Sequence, residues 1–116
     1  MGYIKNENEI KLWDITINGN FSAAGEKRIN DSSFSGKVVV TGDFIIVQSG
    51  LTKFPSSVSV SGKVIIAEND VKSLVDDCIK VCQHDKNLWF IYNKGGNNFL
   101  IRNYFTEEIE NYKEND

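Results

Sequence analysis

Cys78, Cys82 and His84 come nearest to a reactive or metal-binding set in this sequence, because a thiolate is both a nucleophile and a zinc ligand. On a helix two cysteines four apart lie one turn from each other and could reach one ion. A zinc site takes four ligands in a recognisable spacing, whereas the chain has two cysteines and one histidine in all. A Cys–His nucleophile fails on direction, since Cys82 and His84, two apart, point differently on a helix. Both thiols therefore read as reduced core residues, and no metal or disulfide is expected.

The carboxylates give no stronger signal. Asp76, Asp77 and Asp85, or Glu68, Asn69 and Asp70, could gather into an acidic site, but each group lies where turns and helix surfaces are ordinarily polar and solvated. Gly95-Gly96 lacks the following Lys-Ser/Thr of a phosphate loop and sits between two strands, so it is turn chemistry. A carboxylate-only enzyme is the one catalytic class this inventory leaves formally open. The expectation is a non-enzymatic protein with no catalytic, cofactor-binding or metal-binding residues.

Aromatic residues point elsewhere. Leu88-Trp89-Phe90-Ile91-Tyr92 and Asn98-Phe99-Leu100-Ile101-Arg102 flank Asn93-Lys94-Gly95-Gly96-Asn97, which predicts a β-hairpin. Leu88, Phe90 and Tyr92 then point one way while Trp89 and Ile91 point the other, so both faces of the strand are apolar and each needs a cover. One face can close the rest of the core. The other is either covered by an acidic C-terminal helix, through Ile109 and Tyr112, or presented to a partner. Trp, Tyr and Arg favour binding hot spots, so Trp89, Ile91, Arg102 and Tyr104 are the candidate partner-binding residues.

The elements that must position this hairpin follow from a repeat. Val38-Val39-Val40-Thr41-Gly42-Asp43-Phe44-Ile45-Ile46 matches Val58-Ser59-Val60-Ser61-Gly62-Lys63-Val64-Ile65-Ile66 at an offset of twenty, and Leu51 and Phe54 then fall on Val71 and Leu74. An earlier copy, Ile15-Thr16-Ile17-Asn18-Gly19-Asn20-Phe21-Ser22-Ala23, aligns at an offset of 23, with Ile29 and Phe34 as looser distal counterparts. Such a unit cannot close a core alone but can stack on its copies. Stacking predicts a mainly β fold, a short β-solenoid of about three coils, with Val60 and Ile66 inward and Ser59 and Lys63 outward. Gly19, Gly42 and Gly62 would mark the bends, and Asn20, Asp43 and Lys63 would form a column beside them. The alternative is an antiparallel β-meander or small barrel, with Asn18-Gly19, Thr41-Gly42 and Ser61-Gly62 as hairpin turns.

Val71 to Gln83 carries apolar residues at spacings of three and four and reads as a short amphipathic helix. Thr106, followed by Glu107 and Glu108, reads as the start of a last helix. The expected organisation is one domain, 1–116, with a repeat core over 13–75 and a helix, hairpin and helix capping it over 76–116.

Leu51-Thr52-Lys53-Phe54-Pro55, followed by Val58-Ser59-Val60-Ser61-Gly62-Lys63-Val64, resembles the short leucine-rich or β-helix-like repeats of bacterial and phage proteins. The resemblance covers roughly the repeat core. It implies a scaffold for recognition, and hence a binding surface without a named ligand.

Charge narrows the partner. There are 13 basic and 16 acidic side chains, and the acidic excess is local to 106–116. No basic stripe for phosphates is present, so nucleic acid is not expected. No apolar run is long enough to span a membrane and no secretory signal is visible, which makes a cytoplasmic location the expectation. Abundant Asn, Lys and Ile with scarce Ala resemble the coding bias of an A+T-rich genome such as that of a phage or a low-G+C bacterium. The functional expectation is thus a protein-binding module, in its narrowest form a phage-encoded inhibitor of a host defence protein. The alternative is a self-assembling structural protein or homodimer that joins through open strand edges.

Overall fold

The computed structural model describes residues 2–113, and among these the chain is mainly β with one helix. The elements are β1 (Gly2–Lys5), β2 (Ile10–Ile17), β3 (Phe21–Ser22), β4 (Phe34–Val40), β5 (Phe44–Ile45), β6 (Val58–Val60), β7 (Val64–Ile66), α1 (Lys72–Cys82), β8 (Leu88–Gly95), β9 (Asn98–Asn103) and β10 (Ile109–Tyr112). They form two mixed sheets, ordered β1-β2-β4-β6 and β10-β9-β8-β7-β5-β3.

Each matched segment of the sequence gives one strand to each sheet, and equivalent strands pair in parallel. Ile15 faces Val38 and Val38 faces Val58 in the first sheet; Phe21 faces Phe44 and Phe44 faces Val64 in the second. The offsets of 23 and 20 residues are therefore the pairing registers themselves. The hairpin alternative fails, because the strands on either side of Gly19, Gly42 and Gly62 go to different sheets, and neither sheet closes into a barrel.

The three glycines are needed for close approach. A Cβ on Gly42 would lie 2.7 Å from the Gly19 carbonyl carbon, and one on Gly62 would lie 2.6 Å from the Gly42 oxygen. Main-chain bonds of 2.9 Å (Gly42 N to Gly19 O) and 3.0 Å (Gly62 N to Gly42 O) hold these corners together. Beside them the expected column is hydrogen-bonded: Asn20 Oδ1 accepts from the Asp43 amide at 2.7 Å and Asp43 Oδ1 from the Lys63 amide at 2.8 Å.

The main core lies between the sheets and under α1. Phe44 is its centre, stacked on Phe21 at 5.8 Å and edge-on to Phe34 and Phe54 at 5.8 and 6.2 Å. Leu74, Cys78 and Cys82 bring the apolar stripe of α1 into it. Val71 was expected to match buried Leu51, but it sits at the N-cap of α1 and is exposed. Ile66 is fully buried as expected. Val60 is only half-buried, because β6 is an edge strand.

The largest departure is at the C-terminus. No helix begins at Thr106; the chain turns back and β10 pairs antiparallel with β9, Ile109 facing Arg102 and Tyr112 facing Phe99. Asn103 makes the turn: its Oδ1 accepts the amides of Phe105 and Thr106 at 2.8 and 3.0 Å, and its own amide donates to Glu108 O at 2.8 Å. Glu107 takes φ +65°, which ends any helix there. So short a helix is marginal in water, whereas pairing with β9 satisfies the backbone and places Tyr112 against apolar neighbours. The end of the expected helix, 114–116, lies outside the described residues.

Candidate functional site

β8 continues the second sheet as a further parallel rung, with Val64 facing Leu88 and Ile66 facing Phe90. Its antiparallel partner β9 puts Ile101 opposite Ile91 and Arg102 opposite Phe90. Directly opposed residues share a face and neighbours alternate, so the hairpin sorts the four candidate residues into two pairs on opposite sides.

Trp89 and Ile91 belong to the outer face of the second sheet. Trp89 is 5% exposed and packs with Ile45, Ile65 and Ile101, while Val47, Ile91 and Tyr112 pack around them. Lys63 Nζ lies 5.4 Å from the Trp89 ring centre and 3.8 Å from Glu110 Oε1, so Lys63 covers the ring rather than standing free as an outward position. Tyr112 Oη donates to Asp43 Oδ2 at 3.3 Å. The C-terminal segment thus covers this face, as a strand and through Tyr112; Ile109 is 62% exposed and takes no part. Trp89 is consequently a core residue, and the reading of all four residues as one partner surface is corrected. Ile91 lines a groove of about 700 Å³ on this side, with Ile45, Val47, Phe99 and Tyr112.

Arg102 and Tyr104 lie on the opposite side, around an open groove of about 580 Å³. Tyr104 is 47% exposed, and its ring lies 5.8 Å from Phe90 and 5.1 Å from Phe105, the second contact edge-on. Its amide donates to Leu88 O at 2.9 Å, which fixes the residue at the end of the hairpin. Arg102 Nη2 donates to Glu107 Oε1 at 2.7 Å. Across the groove Tyr92 Oη donates to Glu68 Oε1 at 2.7 Å. Burial, then the Glu68 carboxylate, pushes the Tyr92 hydroxyl above its ordinary value, so it remains the donor.

Phe90, Tyr92, Phe105, Glu68 and Glu107 were not among the sequence candidates for this groove. A signal for two of them existed: continuing the repeat alignment from Val64-Ile65-Ile66 onto Leu88-Trp89-Phe90 carries Glu68 onto Tyr92.

The cysteines lie apart from both grooves. Both are free and buried; burial pushes the Cys78 thiol far up, and burial with Asp85 nearby pushes Cys82 up to about 12. Neither is a thiolate near neutral pH. Asp70 and Asp77 serve the backbone: Asp70 accepts the amides of Gln48 and Ala67, and Asp77 that of Phe54, at 2.7 to 2.8 Å. Among the described residues no three His, Cys, Asp or Glu side chains gather as a metal site. No helix among them is long and apolar enough to cross a membrane.

Compared with protein-family models, curated proteins and solved structures, the chain matches none.

Proposed function

We propose that this chain is a non-enzymatic protein-binding module whose partner surface is the Tyr104 side of the β8–β9 hairpin. The observation that carries this reading is that Tyr104 stands about half exposed on a shelf made by Phe90 and Phe105, beside Arg102 and around an open groove. Tyr and Arg are the residue types that contribute most at interfaces, and a ring already held by its neighbours loses little freedom on binding. The parallel strand pairs support the narrower architectural reading of a short β-solenoid, on which such a surface would be carried as in other recognition scaffolds. An inhibitor of a host protein, phage-encoded and acting in the cytoplasm, is the most specific form of the proposal. It rests on coding bias and on the lack of a catalytic signature in the sequence.

Self-assembly through open edges has less support. The free edges are β1 and β10, of four residues each, β6, of three, and β3, of two, all short templates for another chain.

Affinity capture from the native host with the wild-type chain and with Tyr104→Ala, read by mass spectrometry, tests the proposal. A protein retained by the wild type and lost by a folded Tyr104→Ala is the expected result. Equal retention by both would place the interface elsewhere, and a mass that grows with concentration in light scattering would favour self-assembly.

A further inference from the structure

The groove beneath Tyr104 has a composition that selects for charge. Phe90, Tyr92, Tyr104 and Phe105 supply four aromatic rings. Phe90 and Tyr104 are inclined at 50° to each other and not stacked, with Phe105 T-shaped to Tyr104. Two carboxylates, Glu68 and Glu107, share the lining with one cation, Arg102. Arg102 is already paired with Glu107, and its side chain is about half exposed. Glu68 is therefore the unbalanced charge. One of its oxygens accepts the Tyr92 hydroxyl, which orients it, and Oε2 has no partner among the described residues.

From this we infer that the groove takes a cationic side chain, an arginine or lysine on an exposed segment of the partner, seated on the rings of Phe90 and Tyr104 with its charge against Glu68. Aromatic faces carry negative electrostatic potential and attract cations, and a carboxylate at the rim adds direction. An anionic group would meet Glu68 and would have to displace Glu107 from Arg102, so it is disfavoured twice. The inference rests on the reading of this groove as the partner surface and adds the chemistry of what enters it.

A test uses the whole chain and three capped tripeptides with central arginine, glutamine or glutamate, followed by backbone amide shifts in ¹H–¹⁵N spectra. The arginine probe should give saturable shifts at Phe90, Tyr92, Tyr104 and Phe105, and the other two should not. Glu68→Gln, at an exposed position, should weaken binding roughly threefold to fivefold while leaving the spectrum otherwise folded. Equal shifts with the glutamine probe, no shifts with arginine, or undiminished arginine binding in Glu68→Gln would each overturn the inference. If Tyr104→Ala abolishes partner capture while the arginine probe leaves the groove unmoved, the cation inference falls and the interface stands. If neither responds, both fall.

Discussion

Asp43 does for Lys63 what Asn20 does for Asp43, accepting the amide of the residue stacked on it. Asp43→Ala should therefore cost about 1 kcal/mol by stranding that amide, while Asp43→Asn, which keeps an acceptor, should be close to neutral in a denaturant melt. Gly62→Ala belongs to the same column: its Cβ would meet the Gly42 carbonyl, and overpacking of this kind costs about 1–3 kcal/mol. At the other end of the stack, Glu26 grips Arg28 at 2.6 Å, and Arg28 in turn donates to Asn6 O. The hydrogen bonds from the Arg28 side chain and amide hold the Glu26 carboxyl down at about 2, against an ordinary 4.5. The folded value is the lower one, so this contribution is full above about 4.5 and is lost as pH falls toward about 2. Glu26→Gln should accordingly lie below the wild type in melting temperature near neutral pH, with the gap closing through that acid window.

Among elements, β7 is the most buried, with Val64, Ile65 and Ile66 all in contact with core on one face or the other. Ile66→Asp places an unpaired carboxylate there and should prevent folding, since the cost is several kcal/mol on a small domain's stability. Val60→Asp on edge strand β6 should be milder, and Ser59→Asp, exposed, should be tolerated; circular dichroism of the three variants reads the order. Lys63→Asp should not be tolerated like Ser59→Asp, because it removes the cover of Trp89 and sets a carboxylate beside Glu110. These elements were the legible part of the sequence. Strand period, glycine positions and offset together fixed pairing register, because a parallel stack repeats its contacts at the repeat length. The 72–82 helix and the hairpin were equally readable from local spacing and turn chemistry. The 106–113 segment was not. Its local signals, a hydroxyl cap and acids in a first turn, suit a helix, but the Asn103 turn and pairing with β9 decide the outcome, and both depend on where the hairpin already stands. The split of Trp89 and Ile91 from Arg102 and Tyr104 could be counted from alternation. Which side remained open could not, because that depends on where β10 goes.

For the whole molecule, two apolar faces of one sheet need two covers. The first sheet with α1 supplies one, and β10 with Lys63 supplies the other. Two grooves stay open, a mainly apolar one beside Ile91 and one at the end of the hairpin, where Tyr104, Phe90 and Phe105 meet Glu68 and Arg102. The proposed site is the second of these, and it requires Trp89 to belong to the fold and Tyr104 to the surface. A thermal melt of Trp89→Ala beside Tyr104→Ala measures this directly. Truncating the buried indole should cost roughly 3–5 kcal/mol, lowering the transition by roughly 10–20 °C, whereas removing the half-exposed phenol should cost no more than about 1 kcal/mol. A Trp89→Ala chain that melts like the wild type, or a Tyr104→Ala chain that collapses, would contradict the assignment of the two faces and with it the proposed site.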